Sequence, residues 1–183
     1  VNITRNHIDR WINHILYFEQ SIHLKIYDLT TLRELKLFSG FHISDLSIKN
    51  IKTGPIENNS FECFSNLTSL TIISYSEIKI NLGAFRNLEN LGTLKIFSED
   101  GIIQPEEGAF EELRNLKQLS LAGTENYYYP FTINFSSDTF KGMKSLTELE
   151  IKNNGKLSLH GDPFHELENL EILYLSKNSF TEL

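Results

Sequence analysis

Apolar residues recur along the chain in one pattern, clearest from Phe164 to Leu183. Phe164, Leu167, Leu170, Leu173, Leu175, Asn178, Phe180 and Leu183 spell F-x-x-L-x-x-L-x-x-L-x-L-x-x-N-x-F-x-x-L. The pair Leu173 and Leu175 predicts a short strand with two apolar side chains on one face, because side chains alternate along a strand. The Asn three residues on predicts a turn, its amide available to backbone groups of a neighbouring coil. The Phe and Leu of the return path fill the wedge between coils. One such unit cannot bury its own apolar face, so it must stack on copies of itself.

The copies are present. Marking the first residue of each apolar pair gives Val1, Leu24, Leu46, Leu70, Leu94, Leu119, Leu149 and Leu173, spaced by 23, 22, 24, 24, 25, 30 and 24 residues. The second members are Ile3, Ile26, Ile48, Ile72, Ile96, Leu121, Ile151 and Leu175. Nine residues before each of the last five markers stands a Phe: Phe61, Phe85, Phe110, Phe140 and Phe164. In the two earlier coils that place falls to Ile15 and Leu37. A competing register takes Leu35 as a marker, since "TTLRELKL" alone reads as a better strand than its neighbours. It leaves two oversized coils, so the regular frame is preferred, with Leu32 to Leu37 on a return path.

Other segments depart from the repeat. Ile8, Trp11, Ile12, Ile15 and Phe18 fall at helical spacing and predict an amphipathic helix from His7 to Glu19 on the convex side. Lys52 to Ser60 is a turn-rich loop. The sixth coil is long, its excess lying between Gly123 and Asp138. There Tyr127 to Phe131 form either a contact surface, with Tyr127 and Tyr128 as binding residues, or a flap packed on the convex flank. The Asn turn occurs at Asn6, Asn154 and Asn178, with Leu29, Ile51, Tyr75, Glu99 and Thr124 in its place between. Loss of that ladder predicts a different pitch in the middle coils.

Residues between the paired apolar positions point to the concave face: Asn2, Lys25, Ser47, Thr71, Lys95, Ser120, Glu150 and Tyr174. One place further along run Thr4, Tyr27, Lys49, Ile73, Phe97, Ala122, Lys152 and Ser176. Ile73 and Phe97 are apolar neighbours on a face usually wet. With Lys95 beside them and Tyr75 at the edge, they form the candidate binding patch.

Composition narrows the function. The chain has 183 residues, 40% hydrophobic and 22% charged, enough for a sizeable core in one solenoid domain, 1–183. A net charge of −7 argues against nucleic acid as an obligatory partner. The one cysteine, Cys63, builds no disulfide framework or zinc site. No run of about 18 apolar residues occurs, so no membrane contact is expected within the segment. The six His lack metal-ligand spacing, and no phosphate-binding or dinucleotide fingerprint is present. No metal, no cofactor and no catalysis are therefore expected. Terminal core faces need polar caps. None is visible, which predicts either an internal piece of a longer solenoid or a body whose caps are not part of this chain.

These repeats, led by "NSF", "GAF" and "DTF", resemble the extracellular leucine-rich repeats of animals. The mixture of regular coils with long, Asn-poor ones is most similar to Toll-like receptor ectodomains. The resemblance implies an α/β solenoid: a leucine-rich repeat horseshoe of about eight coils with a concave parallel sheet, its caps missing here. It also implies an extracellular, innate-immune recognition segment that binds a protein or microbial ligand on its concave or lateral face and dimerises as a receptor. An adhesion or matrix protein with the same repeats and an intracellular regulatory solenoid are the alternatives. The sequons at Asn2, Asn58, Asn66 and Asn134 are expected glycosylation sites outside the cell, but about three would arise by chance, so their number does not decide the compartment.

Overall fold

The structure, a computed structural model, describes residues 2–4, 21–51, 54–99, 102–124 and 132–182. The markers from Leu24 to Leu173 each lie in a strand of one parallel sheet. Its strands are β1 (Asn2–Thr4), β2 (Ile22–Tyr27), β3 (Ile43–Lys49), β4 (Ser69–Ser74), β6 (Thr93–Ser98), β8 (Gln118–Ala122), β10 (Glu148–Lys152) and β12 (Ile172–Tyr174), hydrogen-bonded in that order. The register matches the expected frame throughout: Ile3 pairs with Ile26, Leu46 with Leu70, Leu94 with Leu119, and Leu149 with Leu173. Leu32 to Phe38 is a 3-10 helix on the return path of the second coil, which removes the competing register. The expected helix from His7 to Glu19, including Trp11, lies outside the described residues.

Across the core run shorter parallel strands. β5 (Ile78–Ile80) pairs with β7 (Ile103–Pro105). β9 (Thr132–Ser136) pairs with β11 (Gly155–His160), which in turn pairs with β13 (Asn178–Glu182). Five residues of the long sixth coil form strand β9. Its Ile133 and Phe135 are buried, and Phe135 meets Phe140 at a centroid distance of 5.2 Å.

The two layers share one apolar cluster. Phe61, Phe85, Phe110, Phe140 and Phe164 stack along it at 6.0, 5.9, 6.2 and 5.9 Å, with ring planes within 14° of parallel. A repeat of about 24 residues therefore puts the same ring over the same ring. The expectation fails at Leu37, which is 48% exposed. In that coil the 3-10 helix, with about three residues per turn, buries Leu32, Leu35 and Phe38 instead. Backbones approach closely at Gly142, whose φ is +80°; a Cβ there would lie 2.8 Å from the Glu111 carbonyl oxygen. Only glycine fits both the left-handed conformation and the gap.

The turns after the strands are made in two ways. Asn178 Nδ2 donates to the Ile151 carbonyl at 2.7 Å, and Asn154 Nδ2 to the Leu121 carbonyl at 2.9 Å, as the Asn pattern predicts. The middle coils do not lose the ladder. Ser74 Oγ donates to the Ile51 carbonyl at 3.2 Å, Ser98 Oγ to the Ser76 carbonyl at 3.1 Å, and Thr124 Oγ1 to the Glu99 carbonyl at 2.6 Å. Ser74 and Ser98 stand one residue before the Asn place, and the hydroxyls bond carbonyls in the turn of the preceding coil, whereas the Asn amides bond the second apolar residue of its strand. Coils two and three turn instead through left-handed Asp28 (φ 61°) and Asn50 (φ 60°), tied by an Asn50 Nδ2 to Asp28 Oδ1 bond of 2.9 Å. These residue types tolerate that conformation. Leu29 and Ile51 can then enter the core at the Asn place.

Candidate functional site

The outer face of the long sheet carries three rows of side chains, because alternate residues of each strand point away from the core. Register places Ile73 opposite Phe97 and Thr71 opposite Lys95 on β4 and β6. Ile73 and Phe97 are half-buried, Lys95 is exposed, and Tyr75 is 55% exposed just past the end of β4. Tyr75 sits between Ser74 and Ser76, whose side chains lie 3.2 Å apart, so its backbone is held while its ring is solvated. The sheet brings these four predicted residues onto adjacent coils. Tyr127 and Tyr128 lie outside the described residues.

Further residues of the outward rows, and the row of Thr93, Gln118 and Glu148 absent from the sequence-based patch, extend it. Lys49 lies next to Ile73 in the same row, and its ammonium stands 5.8 Å from the centre of the Tyr27 ring. A cation over an aromatic face is attracted by the ring quadrupole. On the other side Thr93 Oγ1 donates to Gln118 Oε1 at 3.3 Å, and Gln118 Nε2 donates to Glu148 Oε2 at 3.0 Å. Ser120 and Lys152 both donate to the Glu150 carboxylate. Lys95, Gln118, Ser120, Glu148 and Glu150 line a shallow cleft of about 110 Å³ floored by Leu119. The row of Thr93, Gln118 and Glu148 was readable in the sequence: each stands immediately before its strand marker.

Partial burial pushes the Glu150 pKa up. The hydrogen bonds from Lys152 and Ser120, and then the charges of Lys152 and Lys95, outweigh it and hold the carboxyl below its ordinary value of 4.5. Glu150 therefore ionises more readily folded than unfolded. It stabilises the fold above that ordinary value, and the contribution is lost as pH falls through the lowered one. Urea unfolding across the acid range should show Glu150→Gln losing stability relative to wild type at neutral pH and converging with it in acid. A constant difference at every pH would remove Glu150 from the linkage.

The carboxylates of the return paths serve the stack. Arg33 pairs with Glu57, Lys36 with Glu62, Arg86 with Glu112 and Lys144 with Glu168, each across adjacent coils. Cys63 is partly buried with Sγ 3.7 Å from the Leu35 carbonyl oxygen, and burial raises its pKa. That thiol is poorly suited to nucleophilic work. Among the described residues no group of three or more His, Cys, Asp and Glu could hold a metal ion, and no helix is long and apolar enough to cross a membrane.

Asn58, Asn66 and Asn134 are exposed, and none of their side chains donates a hydrogen bond among the described residues. Asn66 is instructive. In its column Asn90, Asn115 and Asn169 donate to the Ser65, Glu89 and Lys144 carbonyls of the preceding coil. Of Asn2 only the backbone is described, in β1.

The profile of the BspA type Leucine rich repeat region matches residues 17–117, and a Leucine rich repeat profile matches residues 133–183. No curated protein matches the chain. Repeats of this kind are typically non-catalytic binding units. With matches over more than half its length and one parallel strand per coil, the chain belongs to the leucine-rich repeat family.

Proposed function

We propose that the chain is a recognition segment that binds a protein through the outer face of coils four and five, without catalysis. The observation that carries this reading is the apolar pair Ile73 and Phe97, in register on adjacent strands and flanked by Lys49 and Lys95. An apolar centre excludes water and a flanking Lys orients an acidic group. With a partner recovered on the native protein, surface plasmon resonance should show Phe97→Ala weakening binding by about 1–2 kcal/mol or more, with an unchanged unfolding midpoint. Unchanged affinity, beside a large loss for Tyr128→Ala, would move the site to the insertion.

The segment is further proposed to work outside the cell, in a receptor ectodomain. Free, exposed amides at three sequons support that placement. Its assignment to the Toll-like receptors, with a microbial ligand and a receptor dimer, rests on the resemblance of the repeats. Mass spectrometry of native protein should find glycans on Asn58, Asn66 or Asn134; bare amides at all of them would favour the intracellular solenoid.

A further inference from the structure

We propose that the partner presents an extended segment with ordered charges: acidic at one end, an apolar anchor in the middle, and a cationic group at the other. The inference rests on the outer-face reading above and adds the chemistry of the occupant.

Charge on that face is segregated. Coils two and three carry Lys25 and Lys49, and the acid beside them, Asp45, lies 3.7 Å from His23. Lys25 forms no ion pair among the described residues, whereas Lys95 stands in the cleft with Glu148 and Glu150. Coil seven carries Glu148 and Glu150, with Lys152 already bonded to Glu150. Between the two ends lie Ile73, Phe97 and the buried Ala122. An acidic stretch is therefore favoured over coils two and three, and a cationic side chain over the cleft beside Glu148 and Glu150.

The dimensions suit an extended chain. From Lys25 on β2 to Glu150 on β10 there are five strand spacings in the sheet order. At about 4.8 Å each they span roughly 24 Å. An extended peptide covers that with about seven residues. The bonds linking Thr93, Gln118 and Glu148, and Ser120 with Glu150, hold the acidic end in place before a partner arrives. Little ordering is then left to oppose binding.

The test uses two fluorescent peptides of about ten residues and identical composition. One has Asp at one end, Leu-Phe in the centre and Lys at the other end; the second has the same charges alternated along its length. At low ionic strength the segregated peptide is expected to bind about tenfold tighter, an advantage that salt erodes. Lys25→Glu combined with Lys49→Glu should abolish the preference, and Phe97→Ala should weaken both peptides. All three positions are exposed or half-buried, and unfolding midpoints check that the variants fold. Equal binding of the two peptides, or binding of neither, overturns the charge order. If equal binding is still weakened by Phe97→Ala, the outer-face reading survives. If neither variant alters it, that reading falls as well.

Discussion

Phe110→Ala should lower the free energy of unfolding by about 3–5 kcal/mol. The ring is fully buried at the centre of the spine, 5.9 Å from Phe85 and 6.2 Å from Phe140. Its removal costs the transfer of a large apolar side chain and leaves a cavity. It also breaks two stacked contacts, each worth about 0.5–1.5 kcal/mol beyond area burial. The cavity cannot close by collapse, because the neighbouring coils are held at fixed spacing by hydrogen bonds of the sheet. Coils touch only their neighbours, so the damage should spread along the stack and lower cooperativity. Leu82→Ala, at a half-exposed side chain, is the control and should stay within about 0.5 kcal/mol. Denaturant unfolding decides the point. Equal midpoints for the two variants would refute the spine as the main source of cohesion. Because Phe85 and Phe110 touch, the double variant should not show the sum of the single losses.

Leu119→Ala is expected to cost about 2–5 kcal/mol. Leu119 is 1% exposed and sits in register with Leu94 on one side and Leu149 on the other. It lies on the inner face of β8, directly beneath the cleft formed by Lys95, Gln118, Ser120, Glu148 and Glu150. The same cavity should therefore loosen the outer face and weaken binding there. Lys117, exposed and one residue before β8, should tolerate Ala within about 0.5 kcal/mol. Its carbonyl accepts bonds from Thr147 and Glu148, which a side-chain substitution leaves intact. Comparable losses from the two substitutions would contradict the burial of Leu119 in the core.

The sequence by itself determined the register of the sheet and the order of the Phe spine. Both follow from spacing: a strand pair and a Phe at constant distance must superpose when equal coils stack. It also determined that Ile73 lies beside Phe97, since two positions in one column of a repeat become neighbours. Where coils are unequal, spacing stops predicting. Leu37 carried the right position but the wrong environment, because the 3-10 turn of its coil rotates Phe38 inward. The hydroxyl ladder of Ser74, Ser98 and Thr124 was invisible for a similar reason: a serine one place early substitutes for an asparagine only if the backbone brings a carbonyl within 3.2 Å. The sequence showed charges of both signs on the outer face but not their partners. Only tertiary structure decided that Lys152 is taken up by Glu150, that Lys95 stands in the cleft with Glu148 and Glu150, and that Lys25 forms no ion pair among the described residues. Pairing depends on the reach of side chains between coils, a distance in space that no count of residues along the chain contains.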